Sequence, residues 1–209
     1  MTNEVIQPMP SIGVDMYHYA KVLEDVKGGE TTYGTPKPLP GAVEIAPTDS
    51  GGVAVFDGDN GSYRALPYTE KMGHDITNAD IPAEIDAEWR GLEMKDGGVE
   101  FGGIPKAPHF CAMWRVLKAN GVYRYVRYYK GVYSFASNVG AKTKPSSGAP
   151  DFQTAKATFT SENRLSDGMA YYMIDDDKLP DGVTPEIIEE KWFTDANWYP
   201  KDEAAASGV

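Results

Sequence analysis

The stretch Gly121–Phe135 reads GVYRYVRYYKGVYSF, and it decides the fold class of this chain. It follows a second strand-like run, Phe110–Lys118, and Asn120-Gly121 joins the two. Asn-Gly between two such runs is the strongest short-range signal of a β-hairpin, because both central residues of a type I′ turn take positive φ. The sequence therefore predicts an antiparallel hairpin within a mainly β protein.

A two-residue turn would fix the pairing of this hairpin, with Val116 opposite Tyr125 and Trp114 opposite Arg127. Both faces then carry large apolar side chains, whereas an ordinary half-buried hairpin is apolar on one face only. We therefore expect both faces to be covered, one by the core of the domain and the other by a helix or a neighbouring subunit. A charge placed at Tyr125 or Val126 is expected to impair folding or assembly.

Length and composition exclude several classes of protein. The 209 residues suffice for one domain with a sizeable core, and a formal net charge of -11 argues against a protein that grips nucleic acid. The single cysteine, Cys111, excludes an intrachain disulfide, and its mid-strand position favours a buried structural thiol over a nucleophile. With neither a signal peptide nor an apolar run near the roughly 20 residues that cross a bilayer, we expect a soluble protein made in the cytoplasm, without a membrane anchor.

The remaining pattern predicts one domain, residues 1–209, with flexible termini at about residues 1–12 and 201–209. Further strands are predicted at Val14–Asp25, Gly41–Pro47, Val53–Phe56, Tyr63–Pro67, Asp151–Ser161 and Met169–Ile174. Helices are predicted at Ile81–Leu92, capped by Asp80, and at Pro185–Phe193, capped by Thr184. Asn138–Ala149 has the composition of a loop. This order of elements predicts an antiparallel β-sandwich or open barrel with one or two short flanking helices.

Residue types that carry catalysis or bind metals are scattered along the chain. His18, His74 and His109 have no cysteine or carboxylate partner at ligand spacing. Asp57–Gly61 begins like a calcium loop, but glycine holds the fifth ligand position and Tyr68 the twelfth. We therefore predict a tight turn at this point. The chain has no nucleophile elbow, phosphate loop or dinucleotide fingerprint. We therefore predict no enzyme activity, no cofactor and no metal site.

Two groups of charged residues leave alternatives open. The acidic run Asp175–Asp177 can bind a cation or form a solvated strand end, and the second is the commoner use of such a run. Arg124 and Arg127, interleaved with aromatic residues, can form a stacking platform for single-stranded nucleic acid. The net charge favours sheet packing instead, with Arg127 over Trp114 as a cross-strand cation–π pair.

Six segments of this chain, spread over nearly its whole length, resemble the major tail proteins of long-tailed bacteriophages, the tail tube subunits. They are TTYGTPKPLPGAVEIAP (Thr31–Pro47), FDGDNGSYRA (Phe56–Ala65), ADIPAEIDAEWRGLE (Ala79–Glu93), YRYVRYYKGVYS (Tyr123–Ser134), KTKP to PDFQTAKATFT (Lys142–Thr160) and EIIEEKWFTDANW (Glu186–Trp198). None of them is a catalytic signature, and the resemblance rests on their order and spacing.

The resemblance implies a β-sandwich subunit flanked by a helix, which assembles into hexameric rings that stack into a hollow tube. It implies a place in the virion tail after synthesis and assembly in the cytoplasm of the host bacterium. The implied partners are further copies of the chain and the tail tip or initiator, ruler and terminator proteins. Phage DNA would pass through the tube without specific binding, because an acidic lumen repels a polymer of phosphates.

Particular residues follow from this interpretation. We expect the hairpin and the assembly to depend on Trp114, Tyr123, Tyr125, Arg127 and Tyr129. The polar excursion Thr48–Tyr68 is the expected ring-to-ring contact. Candidates for an acidic lumen or rim are Asp57, Asp59, Asp175, Asp176 and Asp177, with outer-surface solubility as the alternative for these acids. The partner of the hairpin's second face is expected to be the same region of the next subunit.

An alternative function comes from a different class of protein. A soluble β-sandwich module that binds a ligand or carbohydrate through exposed Trp and Tyr side chains also fits the aromatic content. An enzyme would need a convergent polar site, which the sequence does not display.

Overall fold

The computed structural model describes residues 7–100, 102, 106–134 and 140–202. Twelve strands and two helices follow one another along these residues. The strands are β1 (Ser11–Asp25), β2 (Thr31–Tyr33), β3 (Lys37–Pro38), β4 (Ala42–Pro47), β5 (Ser50–Gly58), β6 (Gly61–Asn78), β7 (Met94–Lys95), β8 (Gly98–Val99), β9 (Phe110–Lys118), β10 (Tyr123–Tyr133), β11 (Ala155–Ser161) and β12 (Tyr171–Asp175). The helices are α1 (Ala83–Arg90) and α2 (Pro185–Trp192), and a 3-10 turn spans Asp176–Lys178.

One large antiparallel sheet contains ten of these strands, in the order β2-β1-β9-β10-β11-β6-β4. In addition, β3 pairs with β1, β12 with β10 and β5 with β6. Because β3 pairs with β1 and the next strand, β4, pairs with β6, the segment 37–47 links the two ends of the sheet. The sheet therefore curls into an open barrel, and the prediction of a mainly β, antiparallel fold with short helices is confirmed.

The central hairpin forms as predicted, but its register differs by one residue. The N–H of Lys118 donates to the carbonyl of Val122 at 2.9 Å, so the loop is Ala119–Gly121, with Gly121 at φ 86°. Three-residue loops of this kind place their last residue in the left-handed region. Trp114 therefore faces Val126, and the predicted pairs of the two-residue turn are wrong.

Both faces of the β9–β10 hairpin are buried within the chain itself. On one face, Trp114 and Tyr128 join a core cluster with Tyr17, Phe159 and Trp89 of α1. The opposite face carries Met113 and Tyr125, which join a second cluster with the α2 residues Ile188 and Trp192 and the following Phe193 and Ala196. The expectation of two covered faces is thus confirmed with a helix as the second cover. The expected partner from the next subunit is wrong, because α2 occupies that face.

The two helices differ in how they begin. α1 starts directly after Pro82 without a side-chain cap, so the predicted Asp80 cap is wrong. Gly91, at φ 67°, ends the helix in the left-handed conformation that favours glycine. α2 begins as predicted: the Thr184 hydroxyl accepts a hydrogen bond from the N–H of Ile187 at 3.4 Å, and a proline occupies the first turn.

The other predicted strands are present with shifted ends. The strand predicted at Asp151–Ser161 begins only at Ala155, and Phe152 before it is exposed. Strands β5 and β6 extend well beyond the predicted hairpin, so Thr48–Tyr68 is mainly strand, not a loop. The predicted loop Asn138–Ala149 has no strand or helix from residue 140 onward, and residues 138–139 lie outside the described part. Of the predicted flexible termini, residues 1–6 and 203–209 also lie outside it.

Candidate assembly surface

A two-stranded ribbon extends from the large sheet. It consists of β5 and the first part of β6, residues 61–71, which among the described strands pair only with each other. We call Ser50–Lys71 the apolar ribbon. Its turn, Asp59-Asn60, has both residues at positive φ (49° and 62°), the geometry of a type I′ turn. The tight turn predicted at this point is therefore confirmed.

The apolar ribbon exposes large hydrophobic side chains on both faces. Directly paired residues share a face of a sheet, so Val53 and Val55 lie on one face and Phe56 and Leu66 on the other. Six large apolar side chains on the ribbon are more than half exposed: Val53, Val55, Phe56, Tyr63, Leu66 and Tyr68. Exposed apolar surfaces of this kind are typical of interaction sites.

The five candidate lumen acids lie in two different environments. Asp57 and Asp59 are exposed at the tip of the apolar ribbon. Asp175 instead accepts hydrogen bonds from Lys118 and, at 2.7 Å, from Nε of Arg124. These contacts, the Arg124 bond foremost, lower the pKa of Asp175 against the effect of burial. Asp175 thus links β12 to the β9–β10 hairpin through ion pairs and is not an unpaired carboxylate.

The other two acids follow Asp175 in the 3-10 turn. Asp176 accepts a hydrogen bond from the N–H of Tyr123 at 3.2 Å, which fixes the start of β10. Asp177 is exposed. Which acids line a channel stays a prediction.

Arg127 is fully buried on the second face of the hairpin, away from Trp114. Its guanidinium donates to the carbonyls of Trp192, Ala196 and Trp198 at 3.2, 3.1 and 2.9 Å. Its Cζ lies 4.1 Å from the centre of the Trp192 ring. The predicted cation–π pair with Trp114 is therefore wrong: the partner is Trp192, and Arg127 fastens the C-terminal segment to the sheet.

The remaining predicted hairpin residues also contact their own chain. Trp114 stacks on Tyr128 and Tyr17, and Tyr125 packs against Trp192 and Phe193. The guanidinium of Arg164 lies 3.6 Å from the Tyr129 ring centre, and that of Arg115 lies 4.2 Å from the Tyr123 ring centre. Trp114, Tyr125, Arg127 and Tyr129 are buried. A role for these residues in assembly stays a prediction. Because they contact their own chain, such a role would be indirect, through the stability of the fold.

The three histidines lie at three different places in the fold. His74 is buried beside Tyr17, His18 lies on the ring of Phe193, and His109 contacts Glu162. Among the described residues, no group of three or more His, Cys, Asp or Glu side chains converges as a metal site would require. Cys111 is fully buried, and burial raises the pKa of its thiol to about 12.

Asp25 anchors the loop between β11 and β12. Its carboxylate accepts hydrogen bonds from Lys130 Nζ at 3.0 Å, Thr31 Oγ1 at 2.9 Å and the N–H of Leu165 at 2.9 Å. Burial raises the pKa of Asp25, but these hydrogen bonds outweigh it and bring the pKa down to about 2. Asp25 therefore stays ionised in the folded protein.

We expect Asp25→Asn to lower the free energy of unfolding at pH 7 by about 2 kcal/mol. The pKa of this carboxylate is lower in the folded than in the unfolded protein, so its stabilisation is complete above about pH 5. It is lost as the pH falls toward about 2, where the two proteins should converge. Urea denaturation at pH 7, 4 and 3 measures this difference. Asp167→Asn serves as the comparison, because Asp167 bonds Arg164 in the same loop but its side chain is 44% exposed. An equal loss of stability there would contradict the anchoring role.

A tyrosine-lined cleft of about 840 Å³ lies beside this loop. Its aromatic lining is Tyr129, Tyr171, Tyr172 and Tyr199. The cleft's arginine, Arg164, is already bound to Asp167 and to the hydroxyl of Tyr199 at 2.8 Å. Carbohydrate binding through exposed tryptophan has no basis in the described residues, where Trp89, Trp114 and Trp192 are buried and Trp198 is half-buried.

Comparisons with known proteins give little. No protein-family model matches the chain, and no curated protein matches it. Among solved structures, the chain is similar to the anti-feeding prophage cap, a tube terminating cap studied by cryo-electron microscopy. The identity is 11%, the match covers 83% of this chain and 97% of that chain, and the TM-score is 0.38. No helix in the described part is long and apolar enough to cross a lipid bilayer.

Proposed function

We propose that this chain is a non-enzymatic structural subunit of a bacteriophage tail tube, which assembles with copies of itself into stacked hexameric rings. The apolar ribbon is the observation that carries this proposal. A two-stranded ribbon is marginally stable alone in water, and one that exposes valine, phenylalanine and tyrosine on both faces gains stability from a partner. The resemblance of six segments to tail tube subunits gives that partner an identity: another copy of the chain.

In this proposal the ribbon makes the ring-to-ring contact expected for Thr48–Tyr68. Its length and its position beyond the body of the sheet support that role, because residues 61–71 of β6 extend past the last pairing with β11, at Met72. The channel conducts DNA without binding it, and the net charge of -11 supports weak contact with phosphates. The other partners are the tail tip or initiator, ruler and terminator proteins, and the place of action is the virion tail after assembly in the host cytoplasm.

Electron microscopy of the concentrated purified protein tests the proposal. We expect rings or tubes with a central channel. A particle that stays monomeric at every concentration, and also with tail initiator proteins present, would refute it.

A substitution on the ribbon tests the proposed contact. We expect Phe56→Asp to prevent stacking of rings while leaving the melting temperature and circular dichroism of the subunit unchanged, because the Phe56 side chain is 67% exposed. Leu23→Asp is the matched control, since Leu23 is 64% exposed on β1, outside the ribbon. Tubes formed by Phe56→Asp in normal yield, or lost equally in Leu23→Asp, would remove the ribbon from the contact.

A further inference from the structure

Several strands of the described part have one unpaired edge, and β5 and β12 are two of them. β5 pairs only with β6, and β12 pairs only with β10. An unpaired edge presents a row of N–H and C=O groups that can hydrogen-bond a strand of another chain. The identity of the groups that point outward follows from the register of each pair.

On β5, the outward groups belong to Val53 and Val55. Val53 lies opposite Pro67, and proline has no N–H to give to a ladder. This pair is therefore one of the non-hydrogen-bonded pairs of the antiparallel ladder, and the N–H and C=O of Val53 point away from β6. Because the register is unbroken from Val53 to Val55, the same holds for Val55.

On β12, the outward groups belong to Tyr171 and Met173. The N–H of Tyr129 donates to the carbonyl of Ala170 at 2.9 Å, so these two residues form a hydrogen-bonded pair. Because the two types of pair alternate along an antiparallel ladder, Tyr128 with Tyr171 is a non-hydrogen-bonded pair, and so is Val126 with Met173. The N–H and C=O groups of Tyr171 and Met173 therefore point away from β10.

Other edges in the described part are blocked in ways that proteins use against unwanted pairing. The open edge of residues 61–71 contains Pro67, and β4 ends in Pro47. β2 is capped by Asn197, whose side chain bonds the N–H and C=O of Tyr33 at 2.9 and 3.2 Å. The first part of β1 is interrupted by a bulge at Met16, which has φ 56°. The outer edges of β5 and β12 carry none of these devices.

The strand segments that form these two edges are uncharged, although Glu70, Lys71 and Glu162 line the cleft beside the start of β12. No charged residue occurs in Ser50–Phe56 or in Gly168–Ile174, although 24% of the chain is charged. Two copies that each carry a net charge of -11 repel one another, so uncharged segments are where they approach at least cost. The side chains flanking the outward groups are apolar and exposed on both strands: Val53, Val55, Tyr171 and Met173.

We propose that the outer edge of β5 in one copy adds to the outer edge of β12 in the next copy as a further antiparallel strand. This inference rests on the proposed function, since it takes a second copy of the chain as the partner. The contact joins two different surfaces, so it repeats head to tail and closes into a ring or continues as a filament. It continues the sheet of one subunit, through β10 and β12, into the β5 edge of its neighbour. The edge contact uses backbone groups, so the faces of the ribbon, with Phe56 and Leu66 on one of them, stay available for the contact between rings.

Proline substitutions at the outward positions test this contact. Met173→Pro removes an outward N–H from the β12 edge, and Val55→Pro removes one from the β5 edge. Each N–H is unpaired within the subunit, so we expect both variants to fold. We expect each to be monomeric by light scattering at concentrations where the unsubstituted protein forms rings. Met173→Thr and Val55→Thr keep the N–H and are expected to assemble.

Mixing the two proline variants gives the sharpest result. The Val55→Pro chain keeps an intact β12 edge and the Met173→Pro chain an intact β5 edge, so an equal mixture should form dimers and nothing larger. A mixture of folded chains that stays monomeric would overturn the proposal. So would normal rings from either variant alone.

The same measurements separate this contact from the proposed function. Rings formed by the unsubstituted protein and by both proline variants would overturn the proposed edge contact. They would still support the proposed function as a tube subunit. An unsubstituted protein that never assembles would overturn both. Should proline unfold either chain, Met173→Lys and Val55→Lys place a charge at the same edges and are expected to give the same monomers and the same mixed dimer.

Discussion

Replacing Arg127 with methionine is expected to lower the free energy of unfolding by about 3–5 kcal/mol. Methionine fills the space of the aliphatic stem but donates no hydrogen bond. The carbonyls of Trp192, Ala196 and Trp198 would lose their donor, and each buried carbonyl left unsatisfied costs about 1–3 kcal/mol. The Trp192 ring also loses the cation that lies 4.1 Å from its centre.

Urea denaturation followed by tryptophan fluorescence measures this change. Arg127→Lys is expected to recover little of the loss, because a single ammonium group cannot reach three carbonyls as the planar guanidinium does. Arg124→Met, on the same strand but 40% exposed, should cost no more than about 1 kcal/mol. An Arg127→Met protein as stable as the original would mean that the cost of burying an uncompensated cation cancels its contacts.

The position of the damage is a second readout of this prediction. Arg127 holds the segment that follows α2, so its loss should first free residues 193–202 from the sheet. We expect faster proteolysis after Lys191 in Arg127→Met than in Arg124→Met under native conditions. Equal cleavage in the two variants would contradict the fastening role.

The cover of the hairpin shows what the sequence could and could not predict. Large residues on both faces of β10 require that each face be buried by other parts of the structure. For the second face, the sequence predicted either a helix or a neighbouring subunit. The choice between α2 and a neighbouring subunit depends on how the chain returns after β12. That return is set by Arg127 binding the carbonyls of residues 192, 196 and 198, and neither periodicity nor composition records such contacts.

The Asn-Gly sequence at the turn does not determine the register of this hairpin. Asn-Gly fits both the predicted type I′ turn, where both residues have positive φ, and the observed loop, where Gly121 alone does. The two loops differ by one residue, Ala119, and a local sequence with glycine suits either. The aromatic partners across the sheet decide between them, since Trp114 packs on Tyr128 in the observed register.

Local sequence patterns predicted the turn of the apolar ribbon correctly but did not predict the contacts of the acidic run Asp175–Asp177. The turn Asp59-Asn60 was predicted correctly, because the geometry needs residues that tolerate positive φ. The acidic run Asp175–Asp177 had the composition of a free cluster, yet Asp175 is bound by Lys118 and Arg124. These partners lie more than fifty positions earlier in the chain, so only the pairing of β12 with β10 brings them together.

His74 is a buried polar residue surrounded by aromatic rings of the core. The hydroxyl of Tyr17 lies 2.8 Å from Nε2 of His74 and 2.9 Å from the hydroxyl of Tyr133. The rings of Trp114 and Phe159 lie against the imidazole, with centroids 4.6 and 5.0 Å away. Burial lowers the pKa of His74 to about 3, so the imidazole is neutral in the folded protein at pH 5 and above.

The unfolded chain binds a proton at His74 below about pH 6.5 while the folded protein does not, so acid favours unfolding. We expect the free energy of unfolding to fall by about 1.4 kcal/mol per pH unit below 6.5, or about 2 kcal/mol by pH 5. The pH range from 6.5 to 5 lies above the range in which Asp25 titrates, so the two effects can be measured separately. His74→Phe should remove most of the slope between pH 6.5 and 5 and leave a smaller part from His18, whose pKa is also lowered by burial. His109→Gln, at a partly exposed histidine, is the comparison and should keep the slope that His74 causes. Equal slopes in the unsubstituted protein and His74→Phe, measured by urea denaturation, would show that His74 is not the group that couples folding to acid.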